Sequence, residues 1–114
     1  MKFSVFQFNN GPLNEIEFKI YFNTRMNPTA EAIEKAWSRY SKVAEIEADS
    51  LEQVFEIGNI GPEENITRLQ PMSSISVGDV IANDIGMTFF VAPVGFKKLP
   101  VRMYQLPADY DIQL

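Results

Sequence analysis

The segment Lys2–Phe8 constrains the fold more than any other part of the chain. Successive side chains of an extended strand point to opposite sides. Phe3 and Val5 therefore share one face, and Phe6 and Phe8 share the other. Both faces are apolar, as in a central strand covered on both sides. The chain has the material for such a core: 46% of its 114 residues are apolar, and nine are Phe. A single domain of this length needs no metal or disulfide to hold it.

The next signals extend the pattern. Asn9-Asn10-Gly11-Pro12 reads as a turn. In Glu15–Phe22, the residues Ile16, Phe18, Ile20 and Phe22 alternate with Glu15, Glu17, Lys19 and Tyr21. Period-two alternation predicts a second strand, and with the first it predicts an N-terminal β-hairpin. A helix follows, with Asn27 as its cap and Pro28 in its first position. Its apolar stripe is Ile33, Ala36, Trp37, Tyr40 and Ala44, with Trp37 as core anchor.

Residues 43–48 read as a strand, with Ala44, Ile46 and Ala48 inward and Glu45 and Glu47 outward; an extension of the helix is the alternative. Ser50 and Gln53 form a capping box for a short second helix that Gly58 is placed to end. Residues 59–72 read as an irregular connection. Beyond them the pattern is β: turns at 75–81 and 83–86, a strand over Met87–Val91, a turn at Pro93–Phe96 and a last strand over Leu99–Leu106. The alternating tail Tyr110–Leu114 is suited to a sheet edge. Residues 1–114 thus predict one small α+β domain: an N-terminal hairpin and amphipathic helix, a short second helix and a C-terminal antiparallel β unit.

Composition narrows the chemistry. There is no Cys and no His, which removes thiol nucleophiles, His-based triads and the usual zinc ligation. The N-terminal stretch is too short and too polar for a signal peptide or membrane helix, so a cytoplasmic location is expected. The net charge is −5, which disfavours nucleic acid as a partner. Acid is concentrated: residues 43–67 contain no Lys or Arg but hold Glu45, Glu47, Asp49, Glu52, Glu56, Glu63 and Glu64. Such a run is either a solvated face or a docking surface for a basic partner.

Carboxylate catalysis would draw on Glu15 with Glu17, or Glu45 with Glu47, which share a face if both segments are strands. Asp79 and Asp84 match no cation-loop spacing, and Gly58-x-x-Gly61 lacks the Lys-Ser or Lys-Thr of a phosphate loop. No catalytic residue, metal or cofactor is expected. Lys97, Lys98 and Arg102, beside Phe96 and Tyr104, form a small basic and aromatic set of the type that binds single strands.

Residues 73–100, SSISVGDVIANDIGMTFFVAPVGFKKLP, carry an ordered set of motifs: Ser74 and Ser76 before Val77-Gly78-Asp79-Val80-Ile81, then Phe89-Phe90-Val91, then Val94-Gly95-Phe96 with Lys97-Lys98. With the lead-in Leu51–Asn59, this run resembles the YodL-like domain family over residues 51–100. The resemblance implies a small accessory protein from a bacterium, phage or mobile element. Physically, Gly78 and Asp79 suit a tight turn, with Gly permitting a positive φ and Asp bonding nearby backbone. Gly95 lets the chain turn while Phe96 inserts a ring.

The functional expectation is a non-catalytic interaction protein that binds a host or phage protein through Glu45, Glu47, Glu52, Glu56, Glu63 and Glu64, with no membrane partner. The alternative is a nucleic-acid accessory protein that uses Lys97, Lys98 and Arg102.

Overall fold

The computed structural model describes residues 1–8 and 11–100. Strand β1 spans Lys2–Phe8, and helix α1 spans Glu15–Met26. Helix α2 covers Ala30–Ala36, followed by a 3-10 turn at Trp37–Arg39 and strand β2 at Tyr40–Glu47. Helix α3 is Leu51–Asn59. After a 3-10 turn at Glu63–Asn65 come β3 (Ile66–Arg68), β4 (Val80–Ala82), β5 (Thr88–Val91) and β6 (Phe96–Lys98). The strands lie in the order β3-β2-β1-β4-β5-β6, and each neighbouring pair is antiparallel. The chain is therefore an α+β domain, as its patterning predicts.

β1 occupies the interior of the sheet, between β2 and β4. Its two apolar faces meet two separate layers. Phe6 and Phe8 pack with Ile33, Ala36, Trp37 and Tyr40, and Ile20 and Tyr21 of α1 close on the same cluster. Phe3 and Val5 pack with Val54 and Ile57 of α3 and with Ile75. The sheet is thus covered by α1 and α2 on one side and by α3 on the other.

β2 serves both layers because it bulges. Val5 pairs with Ala44 but Phe6 pairs with Lys42, so Val43 is the additional residue. An inserted residue reverses the in–out parity of everything beyond it. Tyr40 faces the α1/α2 side, whereas Ala44 and Ile46 face α3. The strand reading of residues 43–48 is right, but Tyr40 and Ala44 belong to this strand and not to a helical stripe.

The predicted hairpin is corrected. Glu15–Met26 is a helix, and the antiparallel partner of β1 is β2. The local cause is a capping box: Asn14 Oδ1 accepts the Glu17 N–H at 2.8 Å, and Glu17 Oε1 accepts the Asn14 N–H at 3.1 Å. Glu15 and Glu17 also sit in the first turn, where the helix dipole favours acid. The apolar alternation arises because α1 is apolar on both sides. Ile20 packs inward, while Ile16, Phe18, Phe22 and Met26 are at least half exposed.

Two caps also differ. Asn27 closes α1, its N–H donating to the Asn23 carbonyl, and Thr29 caps α2 by accepting the Ala32 N–H at 3.0 Å. Gly58 does not end α3, which runs to Asn59. It is there for space: a Cβ on Gly58 would lie 2.3 Å from Ile75 Cδ1. The Ser50–Gln53 cap of α3 is present, with Ser50 Oγ accepting the Gln53 N–H. Residues 59–72 include strand β3. Phe96 starts β6 where a turn was expected, and Leu99 follows that strand as a buried residue. The rest of the predicted Leu99–Leu106 strand and the Tyr110–Leu114 tail lie outside the described residues.

Candidate functional site

The segment before β4 is tied down by a buried polar knot. Gly78 adopts φ +93°, and a Cβ there would come 2.5 Å from the Thr24 carbonyl oxygen of α1. Only glycine allows both that conformation and that approach. The Gly78 carbonyl accepts the Tyr40 hydroxyl at 2.6 Å. Burial pushes the Tyr40 phenol above its ordinary pKa. Asp79 is fully buried, and its Oδ2 accepts the Ser76 N–H and the Gln7 Nε2–H, each at 3.0 Å. Its Oδ1 faces Arg25 Nη1 at 3.2 Å. Arg25 also donates to Ser76 Oγ and to the Val77 carbonyl, each at 2.6 Å.

Gln7 completes the knot. It donates to the Ser73 carbonyl, and its Oε1 accepts the Ser73 N–H. Desolvation raises the Asp79 carboxyl to about 6, against the pull of Arg25, the Ser76 N–H and Gln7. These contacts join β1, α1, β2 and the turn before β4. They give Gly78 and Asp79 a structural role, as their turn chemistry predicts. Trp37 likewise stacks in the core, 5.3 Å from Phe6 and 5.2 Å from Tyr40 by ring centroids.

The acidic residues do not form one surface. Ile46 faces α3, so Glu45 and Glu47 point to the opposite side of β2. Both have cationic neighbours. Lys42 lies 2.9 Å and Lys2 3.6 Å from Glu45, and the Met1 amine meets Glu47. The hydrogen bond from Lys42, together with the nearby Lys2, holds the Glu45 carboxyl below its usual range. Glu63 pairs with Arg68 at 2.7 Å, and that hydrogen bond lowers its pKa. Glu52 and Glu56 stand one turn apart on the outer side of α3, exposed and without an ion-pair partner among the described residues. Glu64 is also exposed.

The carboxylate pairs are separated as well. Glu15 and Glu17, two apart on a helix, do not share a face. Glu15 lies 3.9 Å from Lys19, and Glu17 lies 3.7 Å from Arg39. Asp79 is buried while Asp84 sits in an exposed turn. Among the described residues there is no group of three or more Asp or Glu placed to hold a metal ion. Lys97 and Lys98 are both exposed, but as successive residues of β6 they point to opposite faces. Arg102 lies outside the described residues.

One feature had no sequence signal. Beside α3 is an apolar cavity of about 500 Å³, between Phe55 on the helix and Phe96 on β6. Ile75, Val77 and Val91 line it, and Glu52 is its one charged lining residue among the described residues. Gly95, at φ +75°, and Pro93 form its rim in the β5–β6 turn. Its lining comes from residues 52–55, 75–77 and 91–96, which the one-dimensional pattern does not bring together. No helix among the described residues is long and apolar enough to cross a membrane. Comparisons with protein-family models, curated proteins and solved structures found no match for this chain.

Proposed function

We propose that this chain is a non-catalytic interaction protein that binds a basic partner protein through the outer face of α3. The observation that carries this reading is the pair Glu52 and Glu56. They are exposed, one turn apart, on a helix without a basic residue, and they have no cation beside them among the described residues. Glu45, Glu47 and Glu63 already have cationic neighbours, so binding a partner there would first displace those contacts. Unpaired carboxylates on a rigid element give both steering and specificity toward a basic surface. The YodL-like resemblance of residues 51–100 supports a phage or mobile-element setting and a cytoplasmic host or phage protein as the partner.

The test is affinity purification from the native host with the natural chain and with the double variant Glu52→Gln/Glu56→Gln. A partner held by the former and lost by the latter is expected. Equal retention by both, or no partner above background, overturns the reading.

A further inference from the structure

We propose that the cavity beside α3 receives an apolar anchor side chain from a basic, extended peptide segment, whose cationic residues lie along Glu52 and Glu56. This inference rests on the acidic α3 reading and names the chemistry of the partner at that site. The cavity, about 500 Å³, falls within the ~300–1,000 Å³ range of pockets that bury a ligand. Phe55, Phe96, Ile75 and Val91 line it, and Glu52 is its one charge among the described residues. Phe55 is 36% exposed at this cavity. An aromatic anchor in a cavity that Phe55 and Phe96 both line gains buried area and offers ring contacts.

The charge pattern selects the occupant. Glu52 borders the cavity, and Glu56 continues the same side of the helix one turn beyond it. Charge spread along a line outside an apolar hole suits a chain carrying several cations more than one compact molecule. Lys98 lies on the same face of β6 as Phe96, two residues further on. It repels a cation on that side, so the basic flank of the peptide lies over α3. Apolar anchor and cationic flank together are the usual division of labour between affinity and specificity.

Fluorescence anisotropy with three labelled peptides tests this: a Phe flanked by lysines, the same peptide with Ala for Phe, and the same peptide with Glu for each Lys. The Lys-flanked Phe peptide is expected to bind saturably and the Glu-flanked one not to bind. The Ala peptide should bind at least ~10-fold more weakly. Glu52→Gln should weaken binding by roughly threefold, as suits an exposed pair. Val77→Trp, which fills the cavity from a half-buried position, should weaken it at least ~10-fold while circular dichroism shows the fold retained. If the Ala and Phe peptides bind alike, or the Glu-flanked peptide binds as well, the proposal is overturned. It is equally overturned if Val77→Trp keeps full affinity. A host partner that is lost with Glu52→Gln/Glu56→Gln but held by Val77→Trp removes the pocket and leaves the acidic-surface reading standing.

Discussion

Replacing Asp79 by Asn should change how stability depends on pH. The Asp79 side chain is 1% exposed, and its carboxyl is raised from 3.8 to about 6 in the folded chain. The folded state therefore holds a proton that the unfolded state releases over roughly pH 4 to 6. The contribution of Asp79 is fully present below the unfolded value and is lost as the pH rises through about 6. Each pH unit between the two values is worth about 1.4 kcal/mol, so ionising the carboxylate in place costs about 3 kcal/mol. Asn keeps an acceptor for the Ser76 and Gln7 donors and turns an amide nitrogen toward Arg25, an offset that does not vary with pH. Urea unfolding at half-unit steps from pH 4 to 8 is the assay. The stability of the natural chain minus that of Asp79→Asn should fall by about 3 kcal/mol across the window. Glu45 and Glu63, whose pKa values are lowered, favour the opposite trend, but they are common to both proteins and cancel in the difference. A flat difference refutes the desolvation argument. A difference that rises with pH means that Arg25 wins and Asp79 stays ionised.

Two glycines give further tests. Gly78→Ala combines a φ of +93° with a Cβ only 2.5 Å from a backbone oxygen that cannot move away. It should destabilise by about 3 kcal/mol, read from urea midpoints. In Gly58→Ala the nearest atom is the end of a flexible side chain, Ile75 Cδ1, so a helix gain of about 1 kcal/mol is set against overpacking of about 1–3 kcal/mol. A net loss is expected, and Ile75→Val, which removes that methyl, should recover part of it in a double-mutant cycle.

The elements legible in the sequence are those whose signal is local. β1 reads correctly because two apolar faces in seven residues admit few alternatives, and α3 reads correctly because Ser50 and Gln53 announce its start. The turn at Gly78-Asp79 also follows from residue chemistry, with the positive φ and the Ser76 contact both present. Residues 15–22 mislead because a helix that is apolar on both sides mimics period-two alternation. The corrective signal, Asn14 followed three residues later by Glu17, is as local as the one at Ser50. Gly58 misleads because a helix-ending glycine and a close-packed one look the same without Ile75 in view. The acidic residues are neighbours in sequence, but the parity of β2 and the position of α3 put them on different sides of the sheet. The cavity was illegible because its walls meet only once β5 and β6 are laid beside α3.

The central position of β1 has a consequence for the order of events in synthesis. The strand leaves the ribosome before either of its partners, residues 40–47 and 80–82. The pairing along its full length waits for β2, and the three-residue pairing at Ser4, Val5 and Phe6 waits for β4. Until then a ribbon with Phe on both sides has nothing to cover it, and such long-range pairing is slow to form. The nascent chain therefore spends its early life with its stickiest segment unshielded, and holdase chaperones that take extended aromatic segments are its natural first company.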